Sequence, residues 1–261
     1  MSNTTRFPAG TFPPAPRRAS PARMLMAQGK VESQLFLRHG EQQLLNLFIP
    51  LVGLIALARF DLVPGVGDNP LALTFPFIMT VASMSSGFTG QAISLAFDRR
   101  YGALKRTGAS GVPAWTIVFG KVIAVIAVTL VQIIILGGTA LVLGWTTSIT
   151  GALLGILTLL IGVAAFTAFG LLMGGTLSSE LVLALANLIW VILTGIAAWA
   201  VFSTEVNADG ALSIIPSVAL AQGMSNAFAG ELPWLQLGIL IAWLLAASFA
   251  ANRWFSFTTN R

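Results

Sequence analysis

The chain has 261 residues, 56% of them hydrophobic and only 9% charged, with 14 Lys and Arg against 9 Asp and Glu. An ordinary soluble domain carries about a quarter charged residues, so this composition excludes a water-solvated fold and makes a lipid bilayer the expected solvent. The absence of cysteine excludes disulfides, thiolate metal sites and cysteine nucleophiles.

Residues 1–20 contain four prolines and three arginines but no apolar core of the kind a secretory signal needs, and they read as a disordered cytoplasmic tail. Ser20 is a natural N-cap, followed by Pro21 at the first helical position. From there Met24, Ala27, Val31 and Leu35 recur at helical spacing among Arg23, Lys30 and Arg38, which predicts an amphipathic surface helix over 21–40. His39, the only histidine, has no second donor beside it; metal sites need three or four donors, so a surface role is expected.

The remainder, 41–261, reads as one transmembrane domain. Its apolar runs do not alternate as strands do, and each is close to the about 20 residues a helix needs to cross a hydrocarbon core of about 30 Å. The expected spans are about Gln42 to Ala58, Leu71 to Phe97, Ala114 to Gly144, Thr150 to Ser179, Leu181 to Ser203 and Leu232 to Ala251. Lys121 lies near enough to the start of the third to snorkel. The uncharged stretch from Ala211 to Gly230 is broken by Pro216, Gly223, Ser225 and Asn226, and reads as re-entrant or interfacial. The fold class is therefore an all-α integral membrane protein with six transmembrane helices, an amphipathic surface helix before them and a re-entrant or interfacial segment before the last.

Lys and Arg accumulate on the cytoplasmic side of short loops. With six spans and the amino terminus inside, every basic residue except Arg59 falls inside, and Asp61, Asp68, Glu205, Asp209 and Glu231 fall outside. Both termini are expected in the cytoplasm of a multi-pass protein of the plasma (inner) membrane. Anionic lipid and topology account for the basic balance, and no nucleic-acid module accompanies it.

The cytoplasmic loop between the second and third spans is the most informative segment: Phe97-Asp98-Arg99-Arg100-Tyr101-Gly102-Ala103-Leu104-Lys105-Arg106-Thr107-Gly108. As one helix it would align Phe97, Tyr101 and Leu104 at i, i+4 and i+7, a face able to dock in a partner's groove. The alternative is that Arg99, Arg100, Lys105 and Arg106 only anchor the loop to lipid headgroups.

The order of parts resembles the permease subunit of ABC-2-type exporters: basic amphipathic helix, first span, long second span, the loop Asp98-Arg99-Arg100-x-Gly102-x-Leu104-Lys105-Arg106, then Gly111-Val112-Pro113 and Gly120-Lys121. That family often has Glu where this chain has Asp98. The resemblance implies that Phe97, Asp98, Arg99, Arg100, Tyr101, Leu104, Lys105 and Arg106 form a coupling helix for a separate ABC ATPase. It also implies a second permease subunit, identical or paralogous. No GxxxxGK[ST] pattern occurs here, so no cofactor is expected on this chain, and ATP and Mg belong to the partner.

Ser83, Ser86, Gly87, Gly90, Gln91 and Ser94 cluster at three- and four-residue spacings in the second span, either for helix packing or to line a transport path. Gln132 and Asn187 are further polar groups at depth, where such residues usually face a bundle interior. Gly170 and Gly174 form a GxxxG pair read as packing. No ionisable residue lies deep in a span, which counts against an intramembrane enzyme and a proton-coupled carrier. The expected function is the permease of an ATP-driven exporter of a lipophilic or amphipathic substrate, with an ATP-independent carrier or channel as the alternative and a membrane scaffold as a third class.

Overall fold

The computed structural model describes residues 19–38, 40–60, 69–109, 111–203 and 210–254. The tail 1–18, His39, Asp61, Asp68, Glu205, Asp209 and Arg261 lie outside the described residues. Among those described there are helices and no strand. In chain order they are α1 (Pro21–Arg38), α2 (Gly40–Arg59), α3 (Leu71–Arg100), α4 (Ala103–Ala109), α5 (Trp115–Val142), α6 (Ile149–Thr176), α7 (Ser179–Phe202), α8 (Pro216–Phe228) and α9 (Trp234–Trp254).

Five of these, α3, α5, α6, α7 and α9, are long and apolar enough to cross a bilayer. They match the second to sixth expected spans, with the second running on through Arg100. Two of them are capped at their N-termini: Ser148 caps α6 by accepting from the Gly151 N–H at 2.9 Å, and Ser178 caps α7. The apolar part of the α2 helix, Asn46–Arg59, is shorter and contains Pro50.

Helix α6 is the hub, packed against α3, α8 and α9. Its glycines set the closeness. A Cβ at Gly170 would stand 2.6 Å from the Phe88 carbonyl oxygen, and one at Gly174 would collide with the carbonyl oxygen of Ala92. The GxxxG pair is thus a packing surface for α3. Gly174→Ala should cost about 1–3 kcal/mol because the obstructing atom is backbone and cannot move aside. Gly195→Ala, with open space around it, should be neutral or stabilising by up to about 1 kcal/mol through helix propensity. Melting of the two purified variants in detergent checks the contrast.

Two π-helical turns, Ser85–Thr89 and Ile133–Gly137, interrupt α3 and α5. They lie beside one polar knot. The Gln132 amide donates to the backbone carbonyls of Asn46 and Ala82 at 3.3 Å each, and the Ser85 hydroxyl donates to the Asn46 side-chain oxygen at 2.6 Å. Gln132 therefore faces the interior, as its depth predicts. Asn187 does not: it is exposed and its amide bonds back to the Leu183 carbonyl at 2.8 Å. It escapes the cost of depth by using its own helix as acceptor, with Leu183, Leu188 and Val191 exposed on the same element.

The Ala211–Gly230 segment forms a 3-10 turn, Ala211–Ile214, and then α8. The Trp243 indole donates to the Ile214 carbonyl at 2.8 Å, and Ser217 donates to the Leu193 carbonyl at 2.9 Å, which places the start of α8 at mid-height of α9 and α7. Its far end lies at the α5–α6 turn, where Thr147 donates to the Phe228 carbonyl at 2.7 Å and the rings of Phe75, Trp145 and Phe228 meet in tilted and edge-on pairs with centroids 4.4 to 5.4 Å apart. With 13 residues, α8 is about 20 Å long, too short to cross. Helix α8 thus runs inside the bundle from mid-height to the end that carries the α5–α6 turn.

Candidate functional site

The loop predicted as one coupling helix is two helices with a corner. Helix α3 ends at Arg100, and Gly102, at φ 69°, turns the chain in the left-handed region that costs a side-chain-bearing residue about 1 kcal/mol or more. The corner separates the face expected from i, i+4, i+7 spacing. Phe97 and Tyr101 still stack, with centroids 5.9 Å apart, and Tyr101 is 64% exposed. Leu104 instead turns inward and is buried with Leu95, Ile117 and Leu171. It anchors α4 to the bundle, leaving Lys105 and Arg106 exposed on α4.

The three charged residues before the corner go to three different places. Arg99 is almost fully buried, and its guanidinium donates to the carbonyls of Gly174 at 2.8 Å and Leu177 at 2.9 Å. These belong to the last turn of α6 and the residue that caps it, where backbone acceptors lack intrahelical donors. Arg100 donates to the Ser179 hydroxyl at 3.1 Å and pairs with Glu180, in the first turn of α7. Asp98 accepts from the Lys121 ammonium at 2.7 Å.

Lys121 does not snorkel. Its side chain is 2% exposed, and its ammonium also meets Glu32 at 3.3 Å and the Ser94 hydroxyl at 3.1 Å. Three partners offer the ammonium what a headgroup or water would, so the chain need not reach out to solvent. Glu32 is in turn held by the Gln28 amide at 2.9 Å. Helix α1 can reach this cluster because glycines admit it: a Cβ at Gly29 would stand 2.8 Å from Ile123, and one at Gly120 would stand 2.6 Å from Gln28. Phe36 then buries against Ala124 and Val128, so α1 runs alongside α5 in the same direction.

Of the small polar residues of the second span, Ser83 and Ser86 bond to backbone carbonyls one turn earlier, at 2.8 and 3.0 Å. Gly87 fits against Thr167 and Val163 of α6. Gln91 and Ser94 face elsewhere, into a cleft of about 500 Å³ between α1 and the α3–α4 corner that Asp98 and Glu32 also line. The Glu32 and Asn46 contributions are not among the expected site residues. Glu32 had a signal: with Gly29 and Phe36 it falls at i, i+3 and i+7 on the face of α1 that packs against α5. Among the described residues no three His, Asp or Glu side chains come together as a metal site.

Residues 61–252 match the family model described as ABC-2 family transporter protein. Among curated proteins none matches the chain significantly.

Proposed function

The chain belongs to the ABC-2 transporter family, and from that premise we propose that it is the permease of an exporter that moves a lipophilic or amphipathic substrate out of the cytoplasm, driven by a separate ATPase. It is a multi-pass membrane protein of a family whose members are the transmembrane components of ABC transporters. Two such permeases, identical or paralogous, and two ATPase subunits make the working unit. ATP and Mg²⁺ are held by the partner, because this sequence has no phosphate-cradling glycine loop.

The observation that carries the reading is the division of labour at the α3–α4 corner. Tyr101, Lys105 and Arg106 are exposed, while Asp98, Arg99 and Arg100 are tied to α1, α5, α6 and α7. A partner gripping α4 would therefore push on four other helices at once. The docking face is Phe97, Tyr101, Lys105 and Arg106, and Leu104 holds it in place from below. The corner stands in the cytoplasm with both termini, in the inner membrane. Helix α2 is read as the first of six crossings; the support is that Asn46 lies opposite Ser85 and Gly53 near Ile78, so this part of α2 runs antiparallel to α3.

Purification from the native host in mild detergent tests this. The expected result is an ATPase that elutes with the permease, and vesicles holding both that move solute only with ATP. A permease that brings no ATPase and transports without ATP would make it an autonomous carrier and end the proposal.

A further inference from the structure

The cleft between α1 and the α3–α4 corner shares Phe97 with the docking face but has an ionic floor that docking does not use. One wall is Val31 and Leu35 of α1, respectively 49% and 53% exposed, and the other includes Phe97 of α3. Its floor is ionic. Asp98 and Glu32 share the single ammonium of Lys121, so the cluster retains one negative charge in excess. The two carboxylate side chains keep 35% and 15% of their surface exposed, whereas the lysine keeps 2%, so the anionic groups are the ones presented to the cleft. The cations Lys105 and Arg106 do not line it.

A second feature points the same way. Gln91 is 1% exposed and lines the cleft, and no hydrogen bond joins its amide to another described residue. Its polar atoms are not sealed off but open onto the cleft, where a ligand's donor or acceptor can reach them. About 500 Å³ with apolar walls and few convergent polar groups has the size and character of a small-molecule site.

We propose that this cleft binds an amphiphile carrying an ammonium headgroup, its N–H groups donating to Glu32, Asp98 and the Gln91 amide oxygen and its alkyl chain lying against Val31, Leu35 and Phe97. An anionic headgroup is excluded by the carboxylates, which would be left facing a like charge. An ammonium can come from a soluble lipophilic amine or from an aminophospholipid, and both present the same donors. The site is a matter of binding alone and stands or falls separately from the transport reading.

Native mass spectrometry of the delipidated full chain tests it, with dodecylamine, phosphatidylethanolamine and phosphatidylglycerol as probes. The expected result is a one-to-one dodecylammonium adduct and no phosphatidylglycerol adduct at the same concentration. Glu32→Gln removes the excess charge but leaves the Asp98–Lys121 pair, and should weaken the adduct about tenfold or more, as loss of a charge-assisted hydrogen bond does. Leu35→Trp, at an exposed position, should block the cleft without disturbing the core. A phosphatidylethanolamine adduct with the same dependence on Glu32 identifies the source as lipid; its absence identifies a soluble amine. Equal binding of phosphatidylglycerol, or an adduct indifferent to both substitutions, overturns the proposal.

Discussion

Lys121→Met should destabilise the protein by about 1–3 kcal/mol, less than the about 3–5 kcal/mol for breaking a fully buried ion pair, because the two carboxylates left behind stay open to the cleft. The substitution preserves length and apolar volume, so packing changes little; what it leaves behind is Asp98 and Glu32 facing each other without a cation. Their repulsion would be relieved by moving Glu32 on α1 away from Asp98 on α3, two helices bridged here through Lys121. Adding Glu32→Gln and Asp98→Asn to Lys121→Met should recover most of the loss, because a cluster with no charge carries no unpaired charge. Thermal unfolding of the single and triple variants in one detergent measures both. A single variant as stable as the parent would mean that the three groups are solvated and not coupled.

The second large effect concerns the partner. Lys105→Glu with Arg106→Glu reverses the charge of the exposed side of α4 while touching none of the bonds that hold the corner. Like charges placed across an interface cost several kcal/mol, so ATPase recovered with the permease should fall by about tenfold or more, with melting unchanged. Arg99→Ala should behave in the opposite way. It strips two carbonyls at the end of α6 of their charged donor, each such bond being worth about 1.5–3 kcal/mol. The variant should melt earlier yet still bind the ATPase, and ATP hydrolysis should no longer respond to substrate. If the double charge reversal leaves the complex intact, α4 is not the docking element.

The long elements were legible because their signal is physical and coarse: uninterrupted apolar runs of span length. That Ala211–Gly230 is not a span was legible too, since Pro216 and the polar residues after it cannot continue a lipid-exposed helix, but a re-entrant and an interfacial course carry the same local signal. The corner was not. Gly102 is compatible with a helix interior at a cost of about 1 kcal/mol, and nothing local says that its φ is 69°. The partners of Asp98, Arg99 and Arg100 lie 23, 75 and 80 residues away at Lys121, Gly174 and Glu180. Charge counting along the chain sees the basic loop but cannot see that two of its arginines are used internally. The buried state of Lys121 was hidden for the same reason, since snorkelling is the cheaper solution only when no carboxylate is supplied from another helix. Asn187 shows the converse: a polar residue at depth can satisfy itself on its own helix and face outward.

Everything assigned to the corner depends on its standing on the cytoplasmic side. The chain has no cysteine, so Lys105→Cys introduces a single thiol at an exposed position that a membrane-impermeant maleimide can report. The account predicts no labelling in intact cells and full labelling once the membrane is opened. Labelling of intact cells from the outside would contradict it.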